Sequence, residues 1–306
     1  MTPDDIQFLP PGVSEAFADA SGLGFGYVTD DYLRTLILPR REDAHKGTYG
    51  HALLVCGSEG MVGAAVLATG AALRSGCGLV TVHLPVTERV PVQTNFPSAL
   101  FSLDPAPCFS QLPADMSRYT AVGAGCGLGR DPRTGAALDA LIDHCREASV
   151  PLVLDADALN WLATHPDRLD RLPAGTILTP HAGELRRLVG EWSDEEEKFR
   201  RIAALAARIG GIAVSKGPNT AICDAGRSIV CNSTGNDGMA KGGSGDVLTG
   251  LLTGLLARGY TPRNAAVVGV FLHGAAGDKA AEYFGREAMN SSDLIDFLAE
   301  AWKDAE

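Results

Sequence analysis

The sequence predicts an α/β protein with a mostly parallel central sheet, helices on both faces and an antiparallel edge hairpin. Three observations carry this expectation. From residue 52 onward, short continuous apolar runs of strand length alternate with segments of helix length, the pattern of parallel strands covered on both sides. Glycines and charged residues cluster just after those runs, where open α/β sheets bind their ligands. Late in the series, residues 220–223 and 228–231 flank Asp224-Ala225-Gly226-Arg227, which is a hairpin signal.

Taken in order, residues 1–28 contain Pro10-Pro11 and glycines between 22 and 26 without a clear period. They read as an N-terminal extension to a single domain over 29–306. Buried strands are expected at 52–56, 79–84, 120–123, 151–154, 176–178 and 212–214. Helices are expected at 63–74, 135–148, 157–164, 182–189, 194–209, 246–257 and 263–284. Strand-then-helix alternation closes parallel pairs through right-handed crossovers and so places helices on both faces.

Composition narrows the function classes. A chain of 306 residues, 45% apolar and 21% charged, can bury the core of one large domain. Its net charge of −11, with no long run of either sign, argues against nonspecific binding to nucleic acid or anionic membranes. Seven scattered cysteines, mostly inside apolar runs, read as buried hydrophobes of a reducing compartment. There is no C-x-x-C or H-E-x-x-H, so no protein-built metal site is expected. The acidic N-terminus lacks the basic and apolar segments of a signal peptide. Gly250 and Gly254 interrupt the longest apolar helix-like run, which is too short to span a bilayer. A cytoplasmic location is expected.

The strongest chemical signal is Gly242-Gly243-Ser244-Gly245-Asp246 at the start of an apolar helix. Small residues let backbone N–H groups crowd a phosphate, and the helix dipole points at the same spot. Asp246 in the first turn could take a proton from a hydroxyl while those amides hold the phosphoryl group. The same stretch also reads as a glycine turn capped by an acid. It is neither a G-x-x-x-x-G-K-[ST] loop nor a G-x-S-x-G elbow, and the glycines of 123–129 fit G-x-G-x-x-G in no register.

Other strand ends add candidates. Lys216-Gly217-Pro218-Asn219-Thr220 combines a cation, a turn and a hydroxyl, a set suited to a phosphate and a ribose or to an ordinary turn. Asp155 and Asp157 fit either a cation or a helix cap, and for Asp157 the cap is the better reading. His181 follows Pro180 alone and gains meaning only from its neighbours. His45-Lys46-Gly47 before the first apolar run fits a turn or a phosphate contact.

Assembled, these residues resemble the NAD(P)H-hydrate dehydratases of the ribokinase-like superfamily, from about residue 28 to the C-terminal helix. The resemblance rests on His45-Lys46-Gly47-Thr48-Tyr49-Gly50, Gly63-Ala64-Ala65 with 71–76, Asp155-Ala156-Asp157-Ala158-Leu159-Asn160, Thr179-Pro180-His181-Ala182-Gly183-Glu184, Lys216-Gly217 and 236–246. It implies repair of NADH or NADPH that has gained water: the C6 hydroxyl of the (S)-hydrate is phosphorylated by ADP, releasing AMP, and phosphate is then eliminated. By the same carry-over, Asp246 is the acid that contacts substrate, and Ala64, Gly125, Gly127 and His181 are further substrate contacts. Lys216, Gly217, Pro218, Asn219 and Thr220 match the AMP-binding segment, and Gly242, Gly243, Ser244 and Gly245 form the anion hole.

The resemblance also implies Mg²⁺ with ADP or ATP as co-substrate. It implies a homo-oligomer, with a tetramer among the options. Only about 45 residues precede the first expected strand, too few for the epimerase domain fused to many relatives, so a separate epimerase is expected as functional partner. The competing expectation is a small-molecule kinase of the same superfamily acting on hydroxymethylpyrimidine, a thiazole alcohol or a sugar. A nucleotide sensor without turnover is a third.

Overall fold

The computed structural model describes residues 9–226 and 228–306. Residues 1–8 of the expected extension and Arg227 of the expected hairpin turn lie outside the described residues. In chain order the elements are α1 (Glu15–Ser21), β1 (Gly24–Tyr27), α2 (Asp30–Leu36), β2 (His51–Val55), α3 (Val62–Arg74), β3 (Leu79–Pro85) and α4 (Arg89–Asn95). Next come β4 (Leu100–Asp104), β5 (Ala121–Ala124), α5 (Pro132–Glu147), β6 (Leu152–Leu154), α6 (Ala156–Thr164), β7 (Ile177–Leu178) and α7 (Ala182–Val189). The chain ends with α8 (Glu195–Ile209), β8 (Ile212–Ser215), β9 (Ala221–Asp224), β10 (Ser228–Cys231), α9 (Ser244–Ala257), α10 (Pro262–Phe284) and α11 (Ser291–Ala305).

The ten strands form one sheet in the order β1-β10-β9-β8-β7-β6-β5-β2-β3-β4. Its pairings are parallel except where β9 meets β8 and β10. The expected hairpin is present as β9 and β10, but β10 is not the last strand: β1 pairs with it in parallel, from Gly24↔Ser228 to Tyr27↔Cys231. The extension expected over 1–28 therefore does not stand apart from the sheet. Its strand is Gly-Phe-Gly-Tyr, too short and too glycine-rich to register as an apolar run. The opposite edge, β4, was also absent from the expected strands. Its register with β3 runs from Thr81↔Leu100 to Pro85↔Asp104.

The sheet divides two apolar cores. Along β2, Ala52, Leu54 and Cys56 join the core beneath α3, α9, α10 and α11, while Leu53 and Val55 join the core beneath α5, α6 and α8. Every β2 residue is buried, which is why the strand reads as a continuous apolar run rather than an alternating one.

The glycines of α9 have a packing purpose. A Cβ at Gly250 would stand 2.0 Å from the Ala68 carbonyl oxygen, and one at Gly254 would stand 2.0 Å from Ser75 Oγ. Together with the alanine-rich face of α3 they let the two helices approach to backbone contact. This close packing fixes the N-terminus of α9 at the C-terminal ends of the central strands. Among the described residues, no helix is long and apolar enough to cross a membrane.

Candidate active site

The C-terminal ends of β2, β5, β6 and β7 are successive ladder neighbours: Val55↔Ala124, Ala124↔Leu154 and Leu154↔Leu178. Beyond β7, His181 and Lys216 form a further parallel bridge. The loops that begin at Gly57, Gly125, Asp155, Thr179 and Lys216 therefore open along one edge. The N-terminus of α9 faces the same edge.

Gly243 is the N-cap of α9 with φ 96°, a left-handed conformation that glycine adopts without strain. The Val247 N–H donates to the Gly243 carbonyl at 3.1 Å, and the Ser244 N–H makes a long 3.4 Å contact with the Lys241 carbonyl; the other amides of this first turn are the orphan donors that an anion can satisfy. Asp246 lies in this first turn. Burial pushes its carboxyl up to about 6. A hydrogen bond from Cys126 opposes the shift, the neighbouring Asp155 adds to it, Lys216 opposes it and Asp157 adds to it. A carboxyl poised there is matched to proton transfer near neutral pH.

A cation lies beneath the glycine loop. Lys216 Nζ donates to Asp155 Oδ1 at 2.8 Å, and a Cβ at Gly245 would stand 3.1 Å from Nζ. Burial disfavours the charged amine, but Asp155 and then Glu184 outweigh it and hold the Lys216 pKa above its ordinary value. Glu184 is itself pushed up by burial, with Lys216 pulling against the shift. Asp155 is 1% exposed, and its other oxygen accepts from Thr249 Oγ1 at 2.9 Å. One carboxylate thus ties the ends of β6 and β8 to the second turn of α9.

The structure corrects one expectation here and decides one left open. Asp155, not Asp157, is the N-cap of α6, whereas Asp157 Oδ2 accepts from the Gly129 N–H at 2.9 Å and braces the glycine loop after β5. His45-Lys46-Gly47 lies before β2, at the strand end away from the crevice. Five residues of strand put about 17 Å between the two. There a Cβ on Gly78 would stand 1.7 Å from the Lys46 carbonyl, and His45 Nδ1 accepts from the Gly47 N–H, so the segment acts as a turn.

The remaining site candidates do gather. A Cβ at Gly125 would stand 1.8 Å from the Asp155 carbonyl oxygen, and one at Gly127 would stand 2.9 Å from Ala64 Cβ. The loop after β5 thereby lies against both β6 and the start of α3. Ser58 Oγ donates to the Gly127 carbonyl at 2.9 Å. His181 caps α7: its Nδ1 accepts from the N–H groups of Gly183 and Glu184, which leaves the ring proton on Nε2. Its side chain is 55% exposed, and its Nε2 stands 3.4 Å from Glu184 Oε1. Gly217, Pro218 and Asn219 are exposed, and Thr220 Oγ1 closes their turn on the Gly217 carbonyl at 3.0 Å.

Several participants escaped the sequence reading. His273 of α10 is buried and its Nε2 lies 2.9 Å from the Ser244 carbonyl oxygen, anchoring the glycine loop from below. Burial pushes its pKa down to about 4, so it is neutral. A histidine inside the apolar run 265–277 of that helix was its only signal. Thr249, one turn after Asp246, carried none.

Among the described residues no group of three His, Cys, Asp or Glu side chains could hold a metal ion. Asp155 is occupied by Lys216 and Thr249. The donor set suits Mg²⁺ arriving with a nucleotide's phosphates, which would meet Asp157 and Asp246, rather than a closed protein cage.

A mostly parallel sheet covered on both faces, with a glycine anion loop, a helix-borne acid and a buried lysine at one strand edge, defines an enzyme of the ribokinase-like class. Within that class, the family model for NAD(P)H-hydrate dehydratase matches residues 52–300, and the chain belongs to this family. It is 40% identical over 275 residues to the bifunctional NAD(P)H-hydrate repair enzyme of Moorella thermoacetica, covering 85% of this chain and 51% of that one. It is 34% identical over 277 residues to the ADP-dependent (S)-NAD(P)H-hydrate dehydratase of Bacillus subtilis, covering 90% and 97%. The crystal structure of the ADP/ATP-dependent dehydratase from B. subtilis, co-crystallised with ATP and Mg²⁺, superposes with a TM-score of 0.80 at 31% identity, covering 92% of this chain and 98% of that one. The chain spans about half the length of the bifunctional relatives it matches.

Proposed function

We propose that this protein dehydrates the (S)-hydrates of NADH and NADPH with consumption of a nucleoside diphosphate or triphosphate. The observation that carries the reading is Asp246. Its carboxyl is pushed up to about 6 in the first turn of α9, beside the amides of the glycine loop and near the Lys216–Asp155 pair. Asp246 takes the proton of the substrate's C6 hydroxyl as that oxygen attacks the terminal phosphorus of ADP. The amides of Gly242, Gly243, Ser244 and Gly245 hold the transferring phosphoryl oxygens, and AMP leaves. Phosphate then departs from C6 with its bonding electrons while the neighbouring ring carbon loses a proton, which restores the dihydronicotinamide.

Lys216, Gly217, Pro218, Asn219 and Thr220 line the nucleotide side of this arrangement. Ala64, Gly125, Gly127 and His181 line the substrate side. Magnesium, when bound with the nucleotide, neutralises charge on the phosphates. A homo-oligomer working in the cytoplasm beside a separate epimerase belongs to the same proposal.

The test is absorbance at 340 nm with the hydrate and Mg²⁺, in the presence of ADP, ATP or no nucleotide. A nucleotide-dependent rise is the expected result. No rise from folded protein that binds adenine nucleotide would overturn the reading in favour of a small-molecule kinase, which leaves a stable phosphorylated alcohol.

A further inference from the structure

The glycine loop before α9 is gripped by its carbonyls. Ser291, the first residue of α11, is 4% exposed, and its Oγ donates to the Gly242 carbonyl at 2.8 Å. His273 Nε2 meets the Ser244 carbonyl at 2.9 Å, and because a carbonyl only accepts, that nitrogen carries the ring proton. Lys241 Nζ, one residue before the loop, donates to the Glu287 carbonyl at 2.7 Å and also to the Met289 carbonyl. The chain over 287–291, which joins α10 to α11, therefore holds the loop at both Lys241 and Gly242.

The consequence for the amides follows from the planar trans peptide, whose C=O and N–H bonds point in opposite directions. With the Gly242 carbonyl drawn to Ser291, the Gly243 N–H is turned away from α11. With the Ser244 carbonyl drawn to His273, the Gly245 N–H is turned away from α10. Neither N–H has a hydrogen-bond partner among the described residues, whereas the Ser244 N–H between them points back to the Lys241 carbonyl at 3.4 Å. Gly245 faces the crevice, where a Cβ on it would stand 3.1 Å from Lys216 Nζ. The rear of the loop is closed: a Cβ at Gly243 would stand 2.4 Å from Leu67 Cδ1 of α3 and 3.2 Å from Ser291 Cβ.

We infer that Ser291 is a positioning residue for phosphate binding: its hydroxyl fixes the Gly242–Gly243 peptide so that the Gly243 N–H faces the transferring phosphoryl group, as His273 does for the Gly245 N–H. This rests on the phosphate-holding role proposed above for the loop. Ser291 touches no ligand in this arrangement, because its one proton is committed to Gly242. Its effect is directional. Without the hydroxyl, the Gly242 carbonyl is released to turn toward the crevice, where its partial negative charge would repel a phosphate that the amide attracts.

The experiment compares ADP and AMP binding to the full chain with Mg²⁺ by calorimetry, parent against Ser291→Ala, with the KM values of ADP and of the hydrate measured alongside. ADP brings a second phosphate to the loop and AMP does not. In Ser291→Ala the Kd for ADP is therefore expected to rise about 3- to 10-fold, the scale of one lost hydrogen bond, while the Kd for AMP stays within about twofold. The KM for ADP should rise in the same proportion, with the KM for the hydrate unchanged. Ser291→Thr, which keeps a hydroxyl donor, should hold the ADP Kd within about twofold of the parent.

An unchanged ADP affinity in Ser291→Ala would overturn the inference. So would equal losses for ADP and AMP, which mark a packing defect alone, or a Ser291→Thr protein as impaired as Ser291→Ala. A parent that binds ADP no better than AMP would also overturn it, since the loop would then not meet the second phosphate. Failure of the dehydratase reading shows differently, as absent turnover in a parent protein that still prefers ADP.

Discussion

Replacing Asp246 with Asn should stabilise the fold at neutral pH while sharply lowering turnover. The carboxyl has an ordinary value of 3.8 and is pushed up to about 6 in the folded protein. At 1.36 kcal/mol per unit, that difference of roughly two units corresponds to about 3 kcal/mol of destabilisation once the group is ionised. Below pH 3.8 the acid is protonated in both folded and unfolded chains, so it contributes no penalty. Between 3.8 and about 6 the unfolded chain releases a proton that the folded one retains, and the penalty grows to its full size above that. Asparagine resembles the neutral acid at every pH, but burying its amide returns about 1 kcal/mol of the gain. The expected advantage over the parent is therefore near zero at pH 4 and about 2 kcal/mol at pH 7.5, read by urea unfolding at the two pH values. Turnover at 340 nm should fall by about 10² or more. An equal advantage at both pH values, or none at pH 7.5, would refute the reasoning.

Three further substitutions test the framework around the site. His273→Gln should remove an acid-labile element: the folded histidine resists protonation until about pH 4 against an ordinary 6.5, so the parent loses about 3 kcal/mol from this group between pH 6.5 and 4 that the variant keeps. Unfolding curves of equal steepness against pH would argue otherwise. Gly250→Ala forces a Cβ to within 2.0 Å of the Ala68 carbonyl and should cost about 3 kcal/mol or more; a loss under about 1 kcal/mol would mean that α3 and α9 separate freely. Lys216→Met leaves Asp155 and Glu184 buried without their cation, with an expected loss of about 3 to 5 kcal/mol at pH 7. The Lys216 pKa is raised, so its contribution to the parent persists through neutral pH and fades only above the ordinary lysine range. A Lys216→Met variant as stable as the parent at pH 7 would remove the pair from the account.

What the sequence disclosed depended on the range of each interaction. The central strands were legible because burial on both faces makes a run such as His51-Ala-Leu-Leu-Val55 continuously apolar apart from its first residue. The anion loop was legible because its glycines and Asp246 are contiguous. β1 was hidden because four residues with two glycines, Gly24–Tyr27, gain strand structure only from pairing with β10. The cap of α6 fell to Asp155 instead of Asp157 because a cap is set by the backbone: both residues precede or open α6, and only the fold shows which one accepts the first amide. His45-Lys46-Gly47 stayed open between a turn and a phosphate contact for a topological reason, since position before a strand and position after it differ by a strand length. Thr249, His273 and Ser291 were hidden because each acts across more than 20 residues of chain, with no local pattern to announce it.

The N-terminus of α9 couples these observations. Asp246 and His273 meet the same glycine loop from opposite sides, and each is displaced from its ordinary value by burial, the acid to about 6 and the base to about 4. Their linkages have opposite signs. As pH rises from 4 to 6, the unfolded chain releases the Asp246 proton that the folded protein keeps, which withdraws about 3 kcal/mol, while the demand to protonate His273 on unfolding fades and returns a similar amount. The two contributions offset, so stability changes little across the interval in which the base becomes charged. Removing one member should expose the other: Asp246→Asn should gain stability with rising pH over this range, and His273→Gln should lose it. A neutral histidine under the anion loop thus leaves the helix N-terminus positive toward phosphate, and compensates for a carboxylate held where water would otherwise be needed to solvate it.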